Sequence, residues 1–326
     1  MAKSPGHGFF VGDVPYAVWD WDIPQRNLEF VRGIEHEYFD YVATTHSQNL
    51  RGEQRHLAAL SIRAAYFHGV ETLLTLICAA IQAPRCVPAW IQRCSTPQLR
   101  KIIEPMSKGW CVLPNPLKIN PISWDAIAEK IISLSDVEQE ELAEVRSDFA
   151  SLWARLASDW LAQISINEYN SIKHGLRVRP GGFSMAVGIE HEYGVEPPPE
   201  EMQFMGGSDF GTSFFHAEPV DNAADTSRTH FRLRRHHTNW NPESLCQALA
   251  LISMSLGNVK GFLRIQNGDK PADVRVWRAQ HKEAYWEPWQ RSPGVTSSSM
   301  DTIVAEEHIE RLSKDELAER IRENYK

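Results

Sequence analysis

One long segment, residues 52–83, constrains the fold of this chain more than any other. Apolar residues recur along it at three- and four-residue spacing, which is typical of a helix with one buried face. Near its end the segment is apolar at almost every position, so this helix should be central to the fold. Pro84 follows directly, and a proline ends a helix and disfavours helical geometry in the residue before it. The apolar face includes Leu57, Leu60, Ala64, Phe67, Leu74, Cys78 and Ile81.

A second striped segment, residues 136–175, predicts a helix of about 60 Å at roughly 1.5 Å per residue. Ser135 and Glu138 have the spacing of a capping box at its start, and Gly175 is a natural C-cap. Another apolar stripe begins at Pro242 and predicts a helix that returns to the main bundle. These segments together predict a mainly α fold.

Short segments rich in β-branched and aromatic residues lie between about 182 and 238, and turn residues bound each of them. They predict a three-stranded antiparallel unit, with strands at Phe183–Ile189, Thr212–His216 and Thr229–His236. The predicted fold class is therefore mainly α: a helical bundle with a small antiparallel β unit inserted before a C-terminal core helix.

The same patterns predict three regions along the chain. Residues 1–26 form an extended N-terminal arm, and residues 27–290 form the helical bundle with its β insertion. Residues 291–326 contain a flexible linker, rich in Ser and Gly, and a short terminal helix. The charged segment from Ser313 to Tyr325 is predicted to be a surface helix or a segment that binds a protein partner.

Composition limits the classes of function. The net charge of −8 opposes a protein whose whole surface binds nucleic acid, although a local basic groove is compatible with it. The number of cysteines is five, without a CxxC pair, which favours reduced thiols in the cytoplasm over a disulfide framework or a zinc site. The N-terminus lacks a secretory signal and no long uninterrupted apolar run occurs, so we expect no membrane association.

Polar side chains interrupt the two apolar stripes. Each buried polar group without a partner costs about 1–3 kcal/mol, so the two interruptions should meet if the helices are neighbours. Two interpretations stay open: a structural network that fixes helix register, or a catalytic or ligand-binding cluster. Glu71 and His68 of the first helix are expected to meet Asn170 and Lys173 or His174 of the second, and Arg63 and Glu168 lie beside them in the sequence.

The segments Ala65–Leu74 and Glu168–Arg177 resemble uncharacterised bacterial helical proteins. More remotely, they are similar to the HEPN superfamily of small helical bundles, in which an arginine is followed a few residues later by a histidine. Arg63 and His68 match that spacing. Many HEPN proteins are metal-independent ribonucleases in toxin or phage-defence systems, and they usually act as dimers.

This resemblance implies a catalytic site. His68 would act as general base toward a ribose 2′-hydroxyl, and Arg63 would stabilise the charge of the phosphorane. Asn170, Lys173 and His174 would complete the site. Glu71 and Glu168 would support these groups without contacting the substrate.

A predicted strand, residues 230–237, alternates between apolar and cationic side chains. Phe231 and Leu233 should face the core, whereas the cations should point outward. The outward face is either an ordinary wet face of an antiparallel sheet or a phosphate-binding stripe beside the helical site. The candidate nucleic-acid-binding residues are Arg177, Arg179, Arg232, Arg234 and His236.

The hexapeptide Gly-Ile-Glu-His-Glu-Tyr occurs twice, at Gly33–Tyr38 and Gly188–Tyr193. The first copy is predicted to be helical and the second extended, and neither spacing suits a metal site. No nucleotide-binding, α/β-hydrolase or zincin motif occurs. We therefore predict no metal and no cofactor.

Three functional hypotheses follow, of which the third is a small-molecule sensor that uses a cleft between the bundle and the β unit. In the first, the chain is a HEPN-like protein that binds or cleaves RNA, with RNA and a second copy of the chain as partners. In the second, it is a non-catalytic interaction or scaffold protein whose polar cluster is structural, and its C-terminal tail recruits a protein partner.

Overall fold

A computed structural model describes residues 6–19, 22–132, 139–175, 177–219, 230–300, 310 and 312–325. The chain is mainly α-helical with small antiparallel sheets, as its sequence predicts. It divides into two compact units. The first contains Met1–Tyr169 and Pro242–Arg291, and the second contains Asn170–Asn241 and Ser292–Lys326.

The first unit begins with a β-hairpin, and its remaining described elements are helices. The last of its helices before the second unit, α8, begins in the first unit and ends in the second. The elements are β1 (His7–Val11), β2 (Val14–Val18), α1 (Ile23–Arg32), α2 (Tyr38–Ser47), α3 (Arg55–Gln82), α4 (Val87–Arg93), α5 (Thr96–Ser107), α6 (Trp124–Ile132), α7 (Gln139–Leu161), α8 (Gln163–Lys173), α9 (Pro242–Gln266) and α10 (Glu287–Gln290).

Helix α3 lies at the centre of the first unit and packs against α2 and α9. Leu73, Leu74 and Ile77 are fully buried, and burial of each such side chain stabilises the fold by about 1.5–3 kcal/mol. Gly69 lets the helices approach closely, because a Cβ there would lie 3.3 Å from Ile252 Cγ2. The predicted central helix is confirmed, and it ends at Gln82, before Pro84.

The predicted extended arm is a hairpin followed by the start of α1. Its turn is fixed to the end of α3 by the buried side chain of Gln82. The amide of Gly12 donates to Gln82 Oε1 at 2.9 Å, and Gln82 Nε2 donates to the carbonyl of Gly12 at 2.8 Å. The Gln82 side chain therefore satisfies both backbone groups of Gly12, which a neighbouring strand would otherwise pair.

Residues 139–173 form two helices, α7 and α8, which are separated at Ala162. This corrects the prediction of a single helix over 136–175. No proline or glycine occurs at the break, so the local sequence carries no signal for it. The predicted capping box at Ser135 and Glu138 lies outside the described residues.

The second unit contains most of the described β-structure. One sheet has the strand order β3-β6-β7-β8, all antiparallel, and β4 and β5 form a separate hairpin. The elements are β3 (Val178–Pro180), β4 (Ser184–Val187), β5 (Gln203–Gly207), β6 (Gly211–Pro219), β7 (Phe231–Asn239), β8 (Ser297–Met300) and α11 (Lys314–Asn324).

This topology corrects two predictions. The first predicted strand corresponds to β4, which does not pair with the other two predicted strands. It pairs with β5, a strand that we did not predict. Part of the predicted flexible linker is ordered as β8, whose backbone pairs with β7 between Ser297 and Met300. Small polar residues such as these carry weak strand propensity, so only the neighbouring strand reveals the pairing.

All five cysteines are free thiols. Burial raises the pKa of each: well above its usual range for Cys78, to about 12 for Cys94 and to about 11 for Cys246. Burial also raises the pKa of Cys86 and Cys111. Few of these groups are thiolates at neutral pH.

Among the described residues, two helices are long and apolar enough to cross a membrane by length and composition alone. They are α3 and α9, and 72% of the most apolar window of each is buried inside the fold. A buried core helix passes the same test.

Asn27 connects three elements of the first unit from a buried position on α1. Its Oδ1 accepts from the amide of Val87 at 2.8 Å. Its Nδ2 donates to the carbonyl of Pro84 at 3.1 Å and to Asn267 Oδ1 at 2.8 Å. The side chain therefore ties α1 to the start of α4 and to the end of α9.

We expect Asn27→Ala to lower the free energy of unfolding by about 2 kcal/mol, because it leaves the buried amide of Val87 without a partner. Urea denaturation followed by circular dichroism measures this change. The matched control is Gln25→Ala, an exposed position on the same helix, which should change stability by about 0.5 kcal/mol or less. Equal effects in the two variants would contradict the structural role of Asn27.

Candidate functional site

The first candidate residue, Arg63 on α3, is held in an ion pair. Its Nη2 lies 2.7 Å from Glu168 Oε2 and its Nε lies 3.3 Å from Glu168 Oε1, so the contact is two-pronged. The carboxylate of Glu168 is fully buried, and the guanidinium lies 4.3 Å from the centroid of the Phe67 ring. A buried carboxylate needs such a partner, so this pair stabilises the contact between α3 and α8.

Glu71 lies two turns further along α3 and accepts two hydrogen bonds. Tyr169 donates from its hydroxyl at 2.8 Å, and Thr96 donates from Oγ1 at 3.0 Å. Burial and the nearby Glu71 carboxylate raise the pKa of Tyr169, so its hydroxyl stays protonated and acts as a donor. Glu71 thus joins α3 to α5 and α8.

A third polar group, Asp159 on α7, was not predicted. Its Oδ2 accepts from the Tyr66 hydroxyl at 3.0 Å and from Trp289 Nε1 at 2.9 Å, and Arg155 Nε lies 3.2 Å from its Oδ1. Asp159 interrupts the apolar stripe of its helix, and Tyr66 interrupts that of α3 with a hydroxyl. Those two interruptions are the sequence signal that could have revealed this group.

His68 has a different environment from Arg63. Its side chain is exposed and contacts the edge of the Phe39 ring, with 5.4 Å between ring centroids. It lies five positions after Arg63 along α3, which places the two side chains about 140° apart around the helix axis. Arg63 points to Glu168 and His68 to Phe39, so the structure does not bring the two predicted catalytic groups together.

The other predicted catalytic residues lie at the last turn of α8, in the second unit. Asn170, Lys173 and His174 are all exposed. The amide of His174 donates to the carbonyl of Asn170 at 3.0 Å, and Gly175 follows with a φ of +105°, in the left-handed region where glycine has no Cβ penalty. This glycine ends the helix, as predicted.

The chain then turns back on the helix end. The amide of Arg177 donates to the carbonyl of Ser171 at 2.8 Å, a bond that satisfies one of the last helical carbonyls. The side chains of Arg177 and Arg179 are exposed. Cations near a helix C-terminus also interact favourably with its partial negative charge, by about 0.3–1 kcal/mol, so part of this arrangement is structural.

The predicted orientation of strand β7 was wrong. Phe231 and Leu233 are more than half exposed, whereas Arg234 and His236 lie on the more buried face. The register explains the reversal, because His236 lies opposite Phe214, a buried residue of β6, and stacks on its ring. A one-residue shift moves every side chain to the other face, and the alternation alone does not reveal which face is covered.

The arginines of that more buried face are paired. Arg232 Nε lies 3.5 Å and Arg234 Nη2 3.3 Å from the same oxygen, Oε2 of Glu218 on β6. This shared carboxylate neutralises part of the predicted phosphate-binding stripe. The other two arginines of the predicted stripe, Arg177 and Arg179, are exposed.

The two copies of the repeated hexapeptide lie in unlike places. The first follows α1 in a loop, which corrects the prediction of a helix, and His36 packs on Trp277 at 4.9 Å between ring centroids. The second also lies in a loop, where His191 Nε2 is 2.5 Å from Glu201 Oε2. Within the described ranges, no group of three His, Cys, Asp or Glu side chains could hold a metal ion.

No protein-family model, curated protein or solved structure matches this chain. Assignment of its function therefore depends on the chemistry of its own side chains.

We expect Arg63→Met to destabilise the fold by about 3–5 kcal/mol, because it removes the guanidinium that pairs with the fully buried carboxylate of Glu168. Urea denaturation measures the change. The matched control is His68→Ala on the same helix, whose exposed side chain should contribute about 0.5 kcal/mol or less.

The double variant Arg63→Met/Glu168→Leu should recover most of that stability, because an apolar pair of similar volume needs no counter-charge. If Arg63→Met were as mild as His68→Ala, the ion pair would not be a structural element. Arg63 would then again be a candidate for contact with a substrate.

Proposed function

We propose that this chain is a cytoplasmic RNA-binding protein with a HEPN-like helical bundle, active as a homodimer in a stress or phage-defence response. RNA would contact the end of α8 and the segment that follows it. Direct binding is the core of the proposal, and cleavage is not required by it.

One observation carries the proposal. In a chain with a net charge of −8, no Asp or Glu occurs between Tyr169 and Ile189. Within that acid-free run, Lys173, Arg177 and Arg179 are exposed cations within seven residues of sequence, and the side chain of His174 is exposed between them. A cluster of exposed cations is what a phosphate backbone requires, and counterion release then drives binding.

The contacts of Arg63 favour binding over cleavage by the predicted pair. A guanidinium that is already neutralised by Glu168 is poorly placed to stabilise a second, developing negative charge. His68 contacts Phe39 and points away from Arg63. Arg63 would thus serve the fold, and the HEPN-like resemblance would concern architecture more than catalysis.

A second candidate function is that of a non-catalytic interaction or scaffold protein. The buried pair of Arg63 and Glu168, together with the bonds of Glu71 and Asp159, favours it, because a satisfied polar network fixes helix register without a ligand. In this alternative the acidic terminal helix α11, which is exposed along most of its length, would recruit a protein partner.

We expect Lys173→Gln/Arg177→Gln to weaken binding of a fluorescent oligouridylate and to flatten its salt dependence. Removing one phosphate contact to a single strand reduces the slope of log Kobs against log salt by about 0.7, so the slope should fall by about 1.4. Fluorescence anisotropy at several salt concentrations measures both quantities.

The matched control is Lys314→Gln, an exposed lysine at the start of α11 that has acidic neighbours. It should leave the slope unchanged. Absence of binding by the wild-type protein would exclude the proposed function and leave the scaffold alternative.

Cleavage can be tested separately, with purified protein and RNA in EDTA. We expect His68→Ala to leave any cleavage rate unchanged, because its predicted partner Arg63 is paired with Glu168. His174→Ala, in the acid-free run, is the comparison variant. Loss of cleavage in folded His68→Ala would contradict this and support the nuclease site that the resemblance implies.

A further inference from the structure

Among the residues that the structure describes, one face of the four-stranded sheet in the second unit has exposed apolar side chains at its centre. The register of β6, β7 and β8 places Phe215, Phe231, Leu233 and Met300 on the same side. Each of these four side chains is more than half exposed. We call this surface the aromatic face; its further members are Arg179, Ser213, Ala217, Pro219, Arg235, His237 and Ser298.

Charge is segregated between the two sides of this sheet. On the opposite side, Glu218 pairs with Arg232 and Arg234. On the aromatic face, the strand residues defined above include no carboxylate, while Arg179 and Arg235 are both exposed. The aromatic face is therefore cationic as well as apolar, and it complements a ligand that is anionic and has flat apolar parts.

Arg235 is held over this face by an aromatic ring. Its guanidinium carbon lies 4.9 Å from the centroid of the Phe215 ring. This contact favours a conformation in which the charged group stays on the aromatic face, so less side-chain entropy is lost when it binds an anion. Phe231 and Leu233 lie along the same strand, and successive same-face side chains are about 6.7 Å apart.

We propose that the aromatic face binds single-stranded RNA, with a base stacked on Phe231 and phosphates bound by Arg179 and by Arg235, which lies over Phe215. Base stacking on aromatic side chains of an open sheet, together with a basic track for the backbone, is the usual physical basis of single-strand binding. Arg179 is at once a member of the acid-free run and of this face, so one strand could contact both.

The chemistry favours single strands over a duplex. In a duplex the bases are already stacked on one another, so Phe231 would gain no base and only the phosphates would be accessible. An acidic polypeptide would satisfy the arginines, but it would leave Phe231, Leu233 and Met300 without flat partners. The inference rests on the proposed RNA binding and adds the surface that recognises the bases.

The test measures binding of a fluorescent oligouridylate to the full chain by anisotropy. Phe231→Ala should weaken binding at least about fivefold, and Phe231→Trp should preserve it, because a larger ring still stacks. The matched control is Phe204→Ala, a similarly exposed phenylalanine on the separate β4–β5 hairpin, which should have no effect. Arg235→Gln should weaken binding, whereas exposed Arg322→Gln on α11 should not.

The outcomes separate the two proposals. If oligouridylate binds and depends on Lys173 and Arg177 but not on Phe231, the aromatic face is excluded and RNA binding stands. If oligouridylate does not bind at all, both proposals are excluded. The last outcome concerns competitors of the fluorescent oligouridylate. If duplex RNA or polyglutamate displaces it as well as unlabelled single strands do, and Phe231→Ala abolishes that displacement, the aromatic face binds another class of ligand. The single-strand assignment is then overturned.

Discussion

The burial of α3 is the constraint on which the first unit depends. Its apolar surface is covered by α2 and α9, but Arg63, Tyr66 and Glu71 point into the same interior and need partners. Glu168, Asp159 and Tyr169 supply them from α7 and α8. Since an unpaired charge in such a place costs several kcal/mol, this set of pairs fixes how α7 and α8 can lie against α3.

The apolar patterns predicted the positions of several elements well. The central helix, the helix after Pro242 and the strands β6 and β7 follow from them. The break at Ala162 and the pairing of Ser297–Met300 with β7 did not follow, because neither has a local signal and both are set by tertiary contacts. The faces of β7 were reversed for a related reason: strand alternation defines two faces, and only the neighbour Phe214 decides which one is covered.

The sequence predicted which polar residues of the candidate site matter better than it predicted how they are arranged. The polar residues that interrupt the apolar stripes do have partners, but most of these are not the expected ones. Arg63 pairs with Glu168, and Glu71 accepts hydrogen bonds from Tyr169 and Thr96. A helical period separates Arg63 from His68 even though their sequence spacing suits a motif. The acid-free run after Tyr169 is visible in the order of charges alone, so the sequence was sufficient to find it.

The buried thiols make the opening motions of this chain measurable. A thiol alkylates only as its thiolate, and burial suppresses that form at Cys78, Cys86 and Cys111, whose side chains are all buried. Modification of these sulfurs then has to wait for the surrounding segment to open. Because Cys78 lies deep in α3 and Cys111 lies in the segment between α5 and α6, their separate rates would report how readily each part leaves the core, without any added label.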